Sequence, residues 1–151
     1  MAWPDTWDFR AKRELDDMTD RFYGYETRAP YEAERQFFME NIEVTGMATE
    51  DKRIIFNPYS QLTPEQQDSV GKNEAARLFM REQQYPFDFD VTPQQRSPFE
   101  AMDSLYVKPE NLYHLQSTIL GRIISGDPSA GDITPEQQAW ADKILPLLEA
   151  R

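Results

Sequence analysis

The stretch Leu-Thr-Pro-Glu-Gln-Gln at residues 62–67 recurs as Val-Thr-Pro-Gln-Gln-Arg at 91–96 and as Ile-Thr-Pro-Glu-Gln-Gln at 133–138. The copies begin 29 and then 42 residues apart, and the sequences between them are unlike each other. A solenoid protein needs a repeat of fixed period. The three copies are therefore interpreted as three helix starts in a non-repetitive fold.

Each copy has the residue order of a capped helix N-terminus. Threonine is a favoured N-cap, proline suits the first helical position, and glutamine suits the third residue of a capping box. The residues concerned are Thr63, Thr92, Thr134, Pro64, Pro93, Pro135, Gln66, Gln95 and Gln137. The middle copy is followed at once by Ser97 and Pro98, so its helix is expected to last one or two turns.

Apolar spacing predicts helices over 5–23, 30–41, 64–84 and 109–125, with a last helix after the third copy. Pro30 is expected in the first turn of the second helix. The residues expected to face the core of these helices are Trp7, Ala11, Leu15, Met18, Phe22, Ala33, Phe37, Phe38, Val70, Ala75, Leu78, Phe79, Leu112, Leu115, Ile119, Ile123, Trp140, Ile144, Leu145 and Leu148. Pro146 should kink or end the last helix, because its ring clashes with the carbonyl four residues earlier.

Residues 42–48 and 53–57 predict two strands joined by a turn, and Pro58 closes the second strand. Residues 85–109 contain several prolines and aromatic residues, which predicts an extended segment anchored by its rings. The expected fold is α+β and mainly α: one domain over 1–151, with about five helices packed with one β-hairpin and this proline-rich extended segment.

Composition excludes several classes of function. The chain has no cysteine, which removes disulfides and thiolate chemistry. A net charge of −11 opposes binding to a nucleic-acid backbone. Neither a signal peptide nor a membrane span is predicted, since no apolar run approaches the roughly 20 residues required. The expected location is the cytoplasm at synthesis, with no membrane partner.

Two positions invite a catalytic interpretation. Asn73-Glu74-Ala75-Ala76-Arg77 follows a predicted strand, as the His-Glu-x-x-His helix of zinc proteases does, but arginine cannot bind zinc. Glu74 and Arg77 are therefore expected to form a surface ion pair. His114, the single histidine, has no recognisable nucleophile or orienting partner in the sequence. No catalytic, cofactor-binding or metal-binding residue is predicted.

Aromatic residues form the more informative pattern. Aromatic residues near the N-terminus and in the proline-bounded segment exceed what a small core requires, and such side chains dominate protein interfaces. The predicted interface consists of Trp3, Trp7, Phe9, Tyr85, Phe87 and Phe89. Capping the ends of the protein's own core is the alternative role for these rings.

Residues 44–60 (VTGMATEDKRIIFNPYS), 73–77 (NEAAR) and 122–132 (RIISGDPSAGD) resemble small uncharacterised proteins encoded by tailed bacteriophages. The resemblance implies a phage context and transfers no site residues. The sequence therefore favours a non-enzymatic interaction protein, a virion component such as a head, connector or tail accessory subunit, whose partners are other virion subunits or itself. Two alternatives stay open: an acidic inhibitor of a host nucleic-acid-binding enzyme, and a hydrolase using carboxylates or His114.

Overall fold

The computed structural model describes residues 21–101 and 111–151. These residues form helices α1 (Glu32–Glu40), α2 (Pro64–Gln83), α3 (Pro93–Ala101), α4 (Leu112–Ser125) and α5 (Pro135–Glu149), with strands β1 (Gly46–Ala48) and β2 (Ile54–Phe56). A short 3-10 helix, Pro128–Ala130, joins α4 to α5. The predicted α+β, mainly α class is confirmed. None of the helices in the described ranges is both long and apolar enough to cross a membrane.

The strands form an antiparallel hairpin in which Met47 lies opposite Ile55. Each strand has three residues and is therefore shorter than its predicted range. On its other side β2 is bridged by Thr27, and the Ile54 amide donates to the Glu26 carbonyl at 3.0 Å. β2 therefore lies between Thr27 and β1, and β1 lies at the outside of the sheet.

Helix α2 is the central element, packing on the hairpin and, most extensively, on α4. Gly46 and Gly121 permit these two approaches, and Gly71 permits the approach of Phe22 to α2. A Cβ added to Gly46 would lie 2.6 Å from Val70, one on Gly121 would lie 2.3 Å from Asn73, and one on Gly71 would lie 2.1 Å from the ring of Phe22. Real Cβ contacts are never this short. Gly71, which weakens the helix prediction, is therefore required by packing.

The core forms around α2, α4 and α5. Buried apolar side chains of these helices join Phe22, Tyr25, Ile54, Phe89, Val91 and Phe99 in one cluster. Most of the predicted core residues of these helices lie in it or pack against it, but Leu112 is exposed. The predicted helix over 5–23 lies outside the described residues except for its last three positions, of which Phe22 is buried.

Helix α1 differs from its prediction. It begins at Glu32, after Pro30, and the Tyr31 amide donates to the Glu34 carboxylate at 2.8 Å. Phe38 is buried, but Ala33 and Phe37 are exposed and do not face the core as predicted. The apolar residues of α1 have the 3.6-residue period of a helix. However, α1 lies on the surface, and Phe38 is its buried residue.

The prediction of a one- or two-turn helix at Pro98 is wrong, and Pro146 does not end the last helix. Helix α3 runs through Pro98 to Ala101, so it is longer than two turns and part of the 85–109 segment is helical, not extended. Helix α5 continues past Pro146 to Glu149. Proline removes one backbone hydrogen bond and costs about 3 kcal/mol within a helix. In each case a buried side chain beyond the proline, Phe99 or Leu148, secures the last turn.

All three predicted capping boxes are present. Two of them also join each other. Gln95 and Gln137 are 2% and 0% exposed, and their amides pair reciprocally at 2.8 and 2.7 Å. Gln95 also donates to the Ala130 and Asp132 carbonyls, and Gln137 to the Asp90 carbonyl. The starts of α3 and α5 are therefore held together by one buried amide pair.

We expect Gln137→Ala to lower the free energy of unfolding by about 1–3 kcal/mol, because it removes both buried hydrogen bonds to Gln95 and the donor to the Asp90 carbonyl. Gln66→Ala is the matched control, since Gln66 forms the same capping box on an exposed surface. Its loss should stay below about 1 kcal/mol. Urea unfolding followed by circular dichroism measures both, and equal losses would contradict a special role for the buried pair.

Candidate functional site

The outer edge of β1 has backbone groups that no strand of the described residues pairs with, although the Ala48 amide is bound by the Glu74 carboxylate. The Thr49 amide donates to the Arg53 carbonyl, and the Asn57 amide donates to the Thr45 carbonyl. In an antiparallel ladder, alternate residues point their amide and carbonyl groups away from the partner strand. Gly46 and Ala48 therefore direct these groups outward, and no third strand of residues 21–101 or 111–151 pairs with them.

A groove of about 410 Å³ follows this edge. Its lining combines residues from the hairpin and from three helices. They are Phe37, Val44, Gly46, Met47, Ala48, Glu74, Arg77, Arg81 and His114. We refer to this space as the edge groove. Its lining includes all three residues of β1 and none of β2.

Helix α2 supplies the charged wall of the edge groove. Glu74, Arg77 and Arg81 are three and four residues apart, a spacing that aligns side chains on one helix face. The Arg77 guanidinium donates to the Glu74 carboxylate at 3.2 Å. The face thus presents one internally paired carboxylate and a second arginine, Arg81.

Glu74 is buried, with 6% of its surface exposed. The predicted pair with Arg77 exists, but its placement on the surface is wrong, because α2 is covered by the hairpin. Burial raises the pKa of Glu74 above its ordinary value of 4.5, whereas the Arg77 guanidinium and the outward-facing Ala48 amide oppose that shift. Glu74 therefore links the charged face of α2 to the edge of β1.

His114, at the start of α4, lines the same groove as Glu74. The hydrolase alternative requires a concave site at His114 or at a pair of acidic residues. The edge groove is concave and is lined by His114, so that alternative stays a prediction. Within the part of the chain that the structure describes, no three or more metal-binding side chains are grouped closely enough to hold a metal ion.

Three residues of the predicted interface lie within the described ranges, and all three pack within the chain. Phe89 is 4% exposed in the core, and Tyr85 and Phe87 are half-buried against it. The Phe87 ring is stacked on Tyr113 at 5.2 Å and is perpendicular to Trp140 at 5.1 Å. These contacts anchor the non-helical residues before α3. Contact of the rings with a partner stays a prediction.

Trp3, Trp7 and Phe9 of the predicted interface lie outside the described residues. The edge groove itself was missed by the sequence analysis. The 3,4 spacing of Glu74, Arg77 and Arg81 could have indicated a shared face, whereas the outward groups of Gly46 and Ala48 require the strand register.

No protein-family model, curated protein or solved structure matches this chain.

We expect Glu74→Gln to stabilise the protein progressively, relative to wild type, as the pH rises above about 4.5. A carboxyl whose pKa is raised by folding stabilises the fold below its unfolded pKa and loses that contribution as the pH rises through its folded pKa. The glutamine side chain of the variant is neutral at every pH, so the variant does not lose stability in this way. Urea unfolding between pH 4.5 and 7 measures the difference in free energy.

Glu136→Gln, at an exposed position of α5, controls for the removal of one negative charge. A Glu74→Gln difference that is independent of pH would contradict the raised pKa.

Proposed function

We propose that the protein is a non-enzymatic interaction subunit that receives an extended segment of a partner protein along the open edge of β1. The observation that carries this proposal is the edge groove, which runs beside the outward backbone groups of Gly46 and Ala48. Addition of a strand to an exposed sheet edge is a recurrent mode of peptide recognition, in which backbone hydrogen bonds provide much of the affinity.

The length and position of β1 support this role. An exposed sheet edge is a liability unless it is short, covered or charged. Here β1 has three residues and is flanked by α1 on one side of the groove and by α2 and α4 on the other. A short edge strand flanked by helices favours a defined partner over open-ended association.

Exposed apolar side chains lie on α1 and beside the hairpin; of these, Phe37 lines the edge groove, whereas Met39 and Tyr59 line a separate cavity against α1. Phe37, Met39, Ile42 and Tyr59 are 41%, 61%, 54% and 42% exposed. All four belong to α1 or to the segments that flank the hairpin. Clusters of exposed apolar residues are typical of protein-binding surfaces. A partner bound at the edge would cover part of this surface.

The resemblance to tailed-phage proteins extends the proposal to a virion component, with other virion subunits as partners. Residues 44–60, on which that resemblance depends, include both strands of the hairpin. Mass spectrometry of particles purified from the source phage tests this context. Absence of the chain from complete particles would contradict the virion assignment without affecting the proposed binding mode.

We expect peptide binding to slow hydrogen exchange at the Gly46 amide, because that amide gains a backbone acceptor from the added strand. The probes are three octapeptides in which valine alternates with threonine, glutamate or lysine, each acetylated and amidated. Exchange is followed residue by residue in ¹⁵N-labelled protein by NMR.

The Met47 amide is the internal control, since Met47 is paired with Ile55 inside the hairpin and should change little. If none of the three peptides slows exchange at Gly46, the proposed binding mode is wrong. The same holds if the Gly46 amide is fully protected without peptide, because the edge is then already covered.

A further inference from the structure

The two walls of the edge groove differ in chemistry. Gly46 faces α2, since a Cβ added there would contact Val70. Successive side chains of a strand point to opposite faces, so Met47 points away from α2. Met47 and Phe37 give the lining away from α2 an apolar character, whereas α2 and α4 contribute Glu74, Arg77, Arg81 and His114.

A strand added at β1 would meet both walls, because its own side chains alternate with the same period of two. Every second side chain would face the apolar wall, and the others would face the charged wall. Building on the proposed function, we propose that the partner segment is an extended peptide in which apolar residues alternate with acidic ones, and that Arg81 binds the acidic side chains.

Charge supports the choice of an acidic peptide. The chain as a whole carries −11, yet the lining of the edge groove has two arginines against one glutamate. A second cavity, of about 370 Å³ on the outer face of α1, has two glutamates against one arginine. The edge groove is thus locally positive on an acidic protein, and opposite charge favours both encounter and specificity.

Arg81 is the residue best placed to bind such a ligand. It lies one turn beyond Arg77 on the charged face of α2, and it is exposed. Among the described residues it has no ion pair of its own, whereas Arg77 is bound to Glu74. Guanidinium groups bind carboxylates through paired, charge-assisted hydrogen bonds. An acidic side chain entering the groove would give Arg81 that partner.

The experiment compares the affinity of the three octapeptides for wild-type protein and for Arg81→Ala, by NMR titration with the Gly46 amide as reporter. The wild type is expected to bind the valine–glutamate peptide most tightly. Arg81→Ala should weaken binding of that peptide about three- to ten-fold and leave the valine–threonine peptide unchanged. Added salt should reduce the preference for the acidic peptide.

Arg35→Ala is the matched control, because Arg35 is exposed on α1, lies outside the edge groove and changes the net charge equally. Arg35→Ala should retain the preference for the valine–glutamate peptide. A further arm uses the valine–threonine peptide with a free C-terminal carboxylate, which should bind no more tightly than its amidated form.

The outcomes separate the two proposals. Equal binding of all three peptides, or the same loss in Arg81→Ala and Arg35→Ala, would overturn the acidic-peptide inference while the strand-addition mode stands. Tighter binding only with a free C-terminus would also overturn it, because the site would then recognise a chain end. Failure of every peptide to protect Gly46 would overturn the proposed function itself.

Discussion

The packing of α2 between the hairpin and α4 is the constraint on which the rest of the structure depends. Three consecutive contacts along one turn of α2, at Val70, Gly71 and Asn73, each require that one partner have no side chain. The chain has six glycines, and three of them serve these contacts. Because such close packing leaves little freedom to relax, α2 fixes the position of β1 and places Glu74 beneath it.

The sequence predicted those features that local chemistry determines. The capping boxes begin α2, α3 and α5 at the predicted prolines, because threonine, proline and glutamine at those spacings satisfy the free amides of a helix start. The hairpin and the α4 helix were predicted from period and turn residues. Tertiary contacts decided the rest. Pro98 and Pro146 lie within helices because buried Phe99 and Leu148 offset the lost hydrogen bonds.

The candidate site could be predicted only in part. Glu74 and Arg77 were recognisable as a pair, but nothing local to 73–77 reveals that the hairpin covers them. An open edge is a property of strand order, and Thr27 reaches β2 from outside the hairpin. The aromatic residues of 85–89 illustrate the opposite case. Their number suggested a surface for a partner, yet Tyr85, Phe87 and Phe89 each pack on rings or core residues of this chain.

The amide pair between Gln95 and Gln137 has a consequence for how the protein opens. The two residues are 42 positions apart, and each also holds a backbone carbonyl near the other helix. Opening the start of either helix would remove this partner from the buried glutamine amide of the other helix. Neither helix start can therefore open alone at a low cost in free energy. Residues 89–101 and 130–141 should therefore behave as one cooperative unit in native-state opening. The edge groove at β1 lies outside that unit, so opening of these two helix starts should not require any movement of β1.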